Sequence, residues 1–151
     1  MNAAHAEQEM IVWKEGNRVG VASFDGENHR LARLINRLYE NMLSGHGQEI
    51  IPQVLYHLEA SLNRHFAAEE AVLAGHAYSG LDEQRYQHQQ FRMRIQEWER
   101  DYREGKPLLP ADILIFLKDW WRDHVLGTDQ EYIPFLKSRG VACRFWAGSC
   151  N

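Results

Sequence analysis

The strongest constraint on the fold is a succession of four stretches in which apolar residues recur every three or four positions, the period of an amphipathic helix. They run over about 25–43, 51–74, 81–103 and from Pro110 onward. None shows the strict alternation of a half-buried strand. The segments between them are short, so neighbouring helices should run antiparallel. The pattern therefore predicts an all-α fold, an up-down-up-down antiparallel four-helix bundle with an N-terminal arm.

Prolines and glycines mark the expected helix ends. Pro52 and Pro110 suit first turns, because a proline there loses no helical hydrogen bond. Gly75 closes the second helix, and Pro134 ends or kinks the fourth. We expect an arm over 1–22, the bundle over 23–137 and a C-terminal tail over 138–151.

Composition narrows the function class. The chain has 151 residues, which suits one domain, and a formal net charge of −4 without a basic run. Nucleic-acid binding is therefore not expected, and no apolar run approaches the roughly 18–20 residues of a membrane span. The first ten residues lack a cationic start followed by an apolar stretch, so we expect a cytoplasmic protein. Cys143 and Cys150 lack the close pairing of a zinc site, and we expect two free thiols in the tail.

The expected inner faces of the helices carry residues that can bind metal. These candidate ligands are His29, His65, Glu69, His88, His124 and Asp129. His65 and Glu69 are four residues apart and share one helix face. His124 and Asp129 are five apart, which offsets them by roughly 500° on a regular helix, and Gly127 between them could permit a distortion.

Each candidate has a structural alternative, because a single histidine on an apolar face is more often a hydrogen-bonded core residue. Six such groups converging from four helices are harder to explain structurally, since buried carboxylates are unfavourable unless paired or coordinated. The set predicts a dinuclear metal site, because imidazole suits iron, copper, nickel and zinc, and carboxylates can bridge two cations. The other histidines, His5, His46, His57 and His76, lie at turns, in the arm or off the inner faces.

Four segments together resemble the hemerythrin family, specifically single-domain bacteriohemerythrins, over about 12–137. The first comprises Trp13, "VGV" at 19–21 and "DGENH" at 25–29, a lead-in to the family's first histidine. The others are "HFAAEE" at 65–70, "HAYSGLDEQRYQHQQF" at 76–91 and "WWRDHVLGTDQEY" at 120–132. Each segment alone is a weakly specific signal of the family. The four segments in this order, with the spacing of a helical bundle, are together a strong one.

The resemblance implies two non-haem iron ions, bridged by oxygen and carboxylates, with O2 as the partner. It assigns His29 and His65 to one iron and His88 and His124 to the other. Glu69 and Asp129 would bridge the two ions.

A fifth family histidine falls at Gln84, a weaker neutral donor. Gln84 would either bind this iron weakly or hydrogen-bond a water that binds it, and the alternative is a passive core residue. We therefore expect the iron at His88 and His124 to be more open than in relatives. The resemblance implies an apolar O2 pocket, for which Leu62, Phe66 and Trp120 are the candidate lining residues; the alternative is that they are ordinary core residues.

Three functional hypotheses follow. The first is an O2 carrier, store or sensor, for which O2 binding rather than turnover is the expected activity. The second is a di-iron oxidase or peroxide-reactive enzyme. The third is a metal-poor helical module that binds a protein partner.

Overall fold

The structure, a computed structural model, describes residues 9–142. Four long helices dominate, and the described residues contain no strand. Their bounds are α1 Ala22–Leu43, α2 Gly47–Gly75, α3 Leu81–Arg103 and α4 Pro110–Trp120. After α4 the chain continues as a π-helix over Trp121–Thr128, followed by α5 Asp129–Glu131 and α6 Ile133–Ser138. The predicted all-α four-helix bundle is confirmed.

Two apolar clusters fill the interior. The larger includes Ile35, Leu58, Phe66, Phe91 and Leu117, contributed by all four long helices. The smaller joins the start of α1 to the end of α2 and to α6, with these buried members: Val19, Phe24, Leu73, Tyr132, Ile133, Leu136 and Ala142. On α2, Leu62 and Phe66 belong to the larger cluster and Leu73 to the smaller one. Glu69 falls between them, so a polar layer lies between two apolar ones.

The buried face of α1 differs from the predicted one. The sequence analysis placed His29 on the inner face, but His29 is exposed and its neighbour Asn28 is only 2% exposed. The buried positions continue through Leu31, Ala32 and Ile35. A shift of one residue turns a helix by about 100°, which is enough to exchange an inward for an outward side chain.

The start of α2 was also predicted wrongly. The helix begins at Gly47 rather than near Ile51, so Pro52 lies in its second turn and not its first. Gly47 is needed for a close approach, because a Cβ there would lie 3.0 Å from Met42 Cγ and 3.1 Å from Pro110 Cγ. The early start brings α2 against the beginning of α4.

The described part of the arm is attached to the bundle. Asn36 on α1 accepts a hydrogen bond from the Ile11 amide at 2.7 Å and donates one to the Ile11 carbonyl at 2.8 Å. The Trp13 ring stacks on His29, with the centroids 5.2 Å apart. Helix α1 begins at Ala22, close to the expected boundary, while the division at 22 and 137 stays a prediction. Cys143, Cys150 and His5 lie outside the described residues.

Among residues 9–142, no helix combines the length and apolarity that crossing a membrane requires.

Candidate metal centre

One layer of the bundle contains nearly all of the buried polar side chains among the described residues. Its members come from α1, α2 and α3 and from the segment after α4: Asn28, His65, Glu69, Gln84, His88, His124 and Asp129. Each is at most 5% exposed. Five of the six ligands predicted from the sequence therefore lie in this layer, and His29 does not.

Glu69 is the centre of the layer. Its Oε1 lies 3.2 Å from His88 Nε2 and 3.9 Å from His124 Nε2. Its Oε2 lies 3.3 Å from His65 Nε2, on the same helix face one turn earlier. One carboxylate thus presents one oxygen to each half of the histidine set, which is the arrangement a bridging ligand needs.

The π-helix explains how His124 and Asp129 meet despite their spacing. The Asp129 amide donates to the His124 carbonyl five residues before it, the widened turn that defines a π-helix. As a result, His124 Nε2 lies 3.0 Å from Asp129 Oδ1. The expected distortion is present, but Gly127 is not sterically required for it, since a Cβ there would meet only the Arg122 carbonyl at 3.6 Å.

An outer hydrogen bond orients His124. The Gln87 side-chain oxygen lies 2.6 Å from His124 Nδ1, and because an amide oxygen only accepts, Nδ1 donates. This leaves His124 Nε2 pointing into the layer. His88 Nδ1 lies 3.4 Å from a Glu70 carboxylate oxygen but makes no hydrogen bond to it. An outer hydrogen-bond partner, such as Gln87 behind His124, is typical of histidines that bind metal.

The charges within the layer favour an ionised Glu69 beside a protonated His124. Burial alone would raise the pKa of Glu69, yet the neighbouring imidazoles of His124, His65 and His88 hold it well below its usual value. Burial also opposes protonation of His124, but the carboxylates of Asp129 and Glu69 raise its pKa to about 9. Burial and the charge of Glu69 together raise the pKa of Asp129.

Aromatic rings cover the histidines on the side of the large cluster. Phe66 stacks on His88 with centroids 3.9 Å apart, and Trp120 stacks on His124 at the same distance. Leu62 is buried one turn before Phe66. The three residues predicted to line an O2 pocket therefore lie beside the layer, and whether they contact O2 stays a prediction. A surface cavity of about 240 Å³ reaches Trp120 and His124 from outside.

Two positions depart from a complete histidine set. Gln84 is fully buried, and its amide nitrogen donates to Asp129 Oδ1 at 3.0 Å. Asn28 lies one turn after Phe24, whose ring contacts His65 edge-on, and its amide nitrogen has no hydrogen-bond partner. Asn28 thus occupies the inward position on α1 that the sequence analysis assigned to His29.

The layer satisfies the requirements of a cation site. Donor atoms of Glu69, His88 and His124 all lie within 4.8 Å of one another, and the three side chains are buried. His124 Nε2 and Asp129 Oδ2 lack hydrogen-bond partners, although buried polar atoms are normally paired. Imidazole and carboxylate donors together suit a transition metal such as iron.

Sequence reasoning missed two further members of the site. Tyr132 is fully buried, and its hydroxyl donates to Glu69 Oε2 at 3.2 Å. Gln87 supports His124 from behind. Tyr132 follows Asp129 by three residues, roughly one turn, which is the signal that could have identified it.

The chain is similar to known proteins over most of its length. The family described as the hemerythrin HHE cation binding domain matches residues 19–136. A bacteriohemerythrin of Clostridium acetobutylicum is 28% identical over 130 residues, which cover 82% of this chain and 99% of that protein. A bacteriohemerythrin of Stenotrophomonas maltophilia is 23% identical over 85% of this chain and 83% of its own length. A myohemerythrin of Riftia pachyptila is 28% identical over 80% of this chain and 89% of its own length.

Proposed function

Because the chain belongs to the hemerythrin family, we propose that its buried polar layer binds non-haem iron and that the protein binds O2 there. The observation that carries this proposal is the convergence of His65, His88 and His124 on Glu69. A buried carboxylate is unfavourable unless it is paired or coordinated, and a metal ion at this point would satisfy Glu69 and the imidazoles together. Ferrous iron in such a site supplies electron density that O2 can accept reversibly.

The residues of the layer have distinct tasks. His88 and His124 hold one iron, and His65 serves a second. Glu69 and Asp129 contact histidines of the site and are suited to bridge the two ions, and an oxygen bridge would complete the arrangement. Gln84 orients Asp129 through its amide hydrogen bond.

The surroundings suit reversible O2 binding. Phe66 and Trp120 cover the faces of His88 and His124 with apolar rings, and Leu62 extends this cover. An apolar cover limits the access of water and protons to the iron. This favours reversible O2 binding, because water and protons promote irreversible oxidation of the iron. A role as carrier, store or sensor of O2 in the cytoplasm fits these features.

The test is anaerobic reconstitution with ferrous iron, followed by metal analysis and visible spectra. We expect iron to copurify with the folded chain and a visible band to appear with O2 and disappear when O2 is removed. Glu69→Ala should abolish the band, while His57→Ala, an exposed histidine on the same helix, should retain it. A wild-type chain that stays helical but binds no iron would refute the proposal and favour a metal-poor partner-binding module.

A second candidate function is oxidation or peroxide consumption. The observation that supports this function is the small number of imidazole donors. The layer contains three histidines, and the side chains of Asn28 and Gln84 are amides. Fewer donors leave more coordination positions open to peroxide. Steady consumption of hydrogen peroxide, or irreversible oxidation of the iron on exposure to O2, would identify this activity.

A further inference from the structure

We infer that the two metal positions of this site are unequal, and that the chain holds one iron firmly at Glu69, His88 and His124 and a second only weakly beside His65. This inference rests on the proposed function, because it concerns the same layer. It reverses the expectation from the sequence that the iron at His88 and His124 is the more open one.

The firm position has a nearly complete set of protein donors. Glu69 Oε1, His88 Nε2 and His124 Nε2 converge there. Asp129 Oδ1 adds a second carboxylate, 3.0 Å from His124 Nε2. Two histidines and a carboxylate with open positions are sufficient to hold a single non-haem ferrous ion in proteins. Gln84 removes one histidine from this position but leaves two.

The weak position retains one histidine. His65 Nε2 faces Glu69 Oε2, but the inward position on α1 is Asn28. His29 cannot replace it without a large movement, because its ring is exposed and stacked on Trp13. The amide of Asn28 is a neutral donor weaker than imidazole.

The carboxylate oxygen of the weak position also has a competing partner. Tyr132 donates its hydroxyl proton to Glu69 Oε2, the same oxygen that faces His65. A metal at this position must share that oxygen with a hydrogen bond, whereas Oε1 faces only histidines among the described contacts.

The experiment measures iron per chain on the full-length protein. After anaerobic loading with excess ferrous iron, the sample is passed over a desalting column with a moderate chelator. We expect about one iron per chain in the wild type. Competition titration should resolve two steps whose dissociation constants differ at least about 100-fold, given that even outer-shell changes alter metal affinity 10–100-fold.

The Asn28→His variant should raise firmly held iron from about one towards two per chain. Arg33→His is the matched control, since it adds a histidine at an exposed position of the same helix and should leave the value at one. Two equally tight ions in the wild type would overturn the inference while leaving the proposed function intact. Absence of any bound iron would overturn the proposed function itself. If Asn28→His does not fold, the wild-type titration alone decides.

Discussion

The hydroxyl of Tyr132 donates a hydrogen bond to Oε2 of Glu69 over 3.2 Å, although 63 residues separate them in the chain. Both side chains are fully buried. The contact ties the segment after the π-helix to the middle of α2. It links the position of α6 and its apolar cluster to the orientation of the central carboxylate.

Tyr132→Phe should lower the free energy of unfolding of the metal-free protein by about 1.5–3 kcal/mol, the typical contribution of a hydrogen bond to a charged group. The ring still fills its place, so packing should change little. Urea denaturation followed by circular dichroism measures the effect. Tyr86→Phe, at a residue that is 61% exposed, is the control and should be neutral. An unchanged stability of Tyr132→Phe would show that the hydrogen bond does not hold Glu69.

Replacing His88 and replacing His65 should remove different iron ions. His88→Ala should lose the firmly bound iron, because it removes a donor from the position with Glu69 and His124. His65→Ala should lose only the weakly bound iron and keep about one per chain after desalting. Both variants should stay mostly helical, since the apolar clusters are untouched. Metal analysis with far-ultraviolet circular dichroism checks this, and full metal content in His88→Ala would show that the ligand set is wrong.

Trp120→Leu should accelerate removal of iron by a soluble chelator. The indole stacks on His124 and lines the cavity that reaches this histidine from the surface. A smaller side chain opens that route. Phe116→Leu is the matched control, because Phe116 lines the same cavity and is not in ring contact with His124. Equal chelation rates in the two variants would remove Trp120 as a barrier.

Glu99 on α3 gives a pH-dependent prediction away from the metal site. Partial burial and the neighbouring carboxylate of Glu59 raise the pKa of Glu99 to about 7, from an ordinary 4.5. The folded state therefore binds this proton more tightly than the unfolded state, and stability falls as pH rises from about 4.5 through 7.

Glu99→Gln should remove that dependence. The melting temperature should rise at pH 8 and change little at pH 4.5, where the wild-type carboxyl is already protonated in the folded state. Glu40→Gln, at an exposed position of α1, should show no such difference between the two pH values. A gain for Glu99→Gln that is the same at both pH values would contradict the assignment.

The fold was predictable because periodicity of apolar residues is a strong signal over 20 residues. The bounds of α3 were predicted correctly at both ends, at Leu81 and Arg103. The predicted start of α2 is four residues too late. Proline is typical of a first turn, and the sequence around Pro52 has no feature that indicates a place in the second turn.

The inward-facing residues of the site were predictable where the spacing of two candidate ligands defined one helix face. They were not predictable where a helix carried a single candidate. His65 and Glu69 share a face by their spacing, and the structure brings them to 3.3 Å. His29 had no such partner on α1, and an error of one residue in the helix face exchanged it for Asn28. The meeting of His124 with Asp129 depends on a π-helix, which regular helical geometry cannot predict.

The central claim is that the buried layer around Glu69 binds iron, and anomalous diffraction at the iron absorption edge tests it most directly. Crystals of the anaerobically reconstituted protein should show a strong anomalous peak within coordinating distance of Glu69 Oε1, His88 Nε2 and His124 Nε2. A weaker peak, or none, should lie beside His65 Nε2. A folded bundle with no anomalous density in this layer after iron loading would contradict the account.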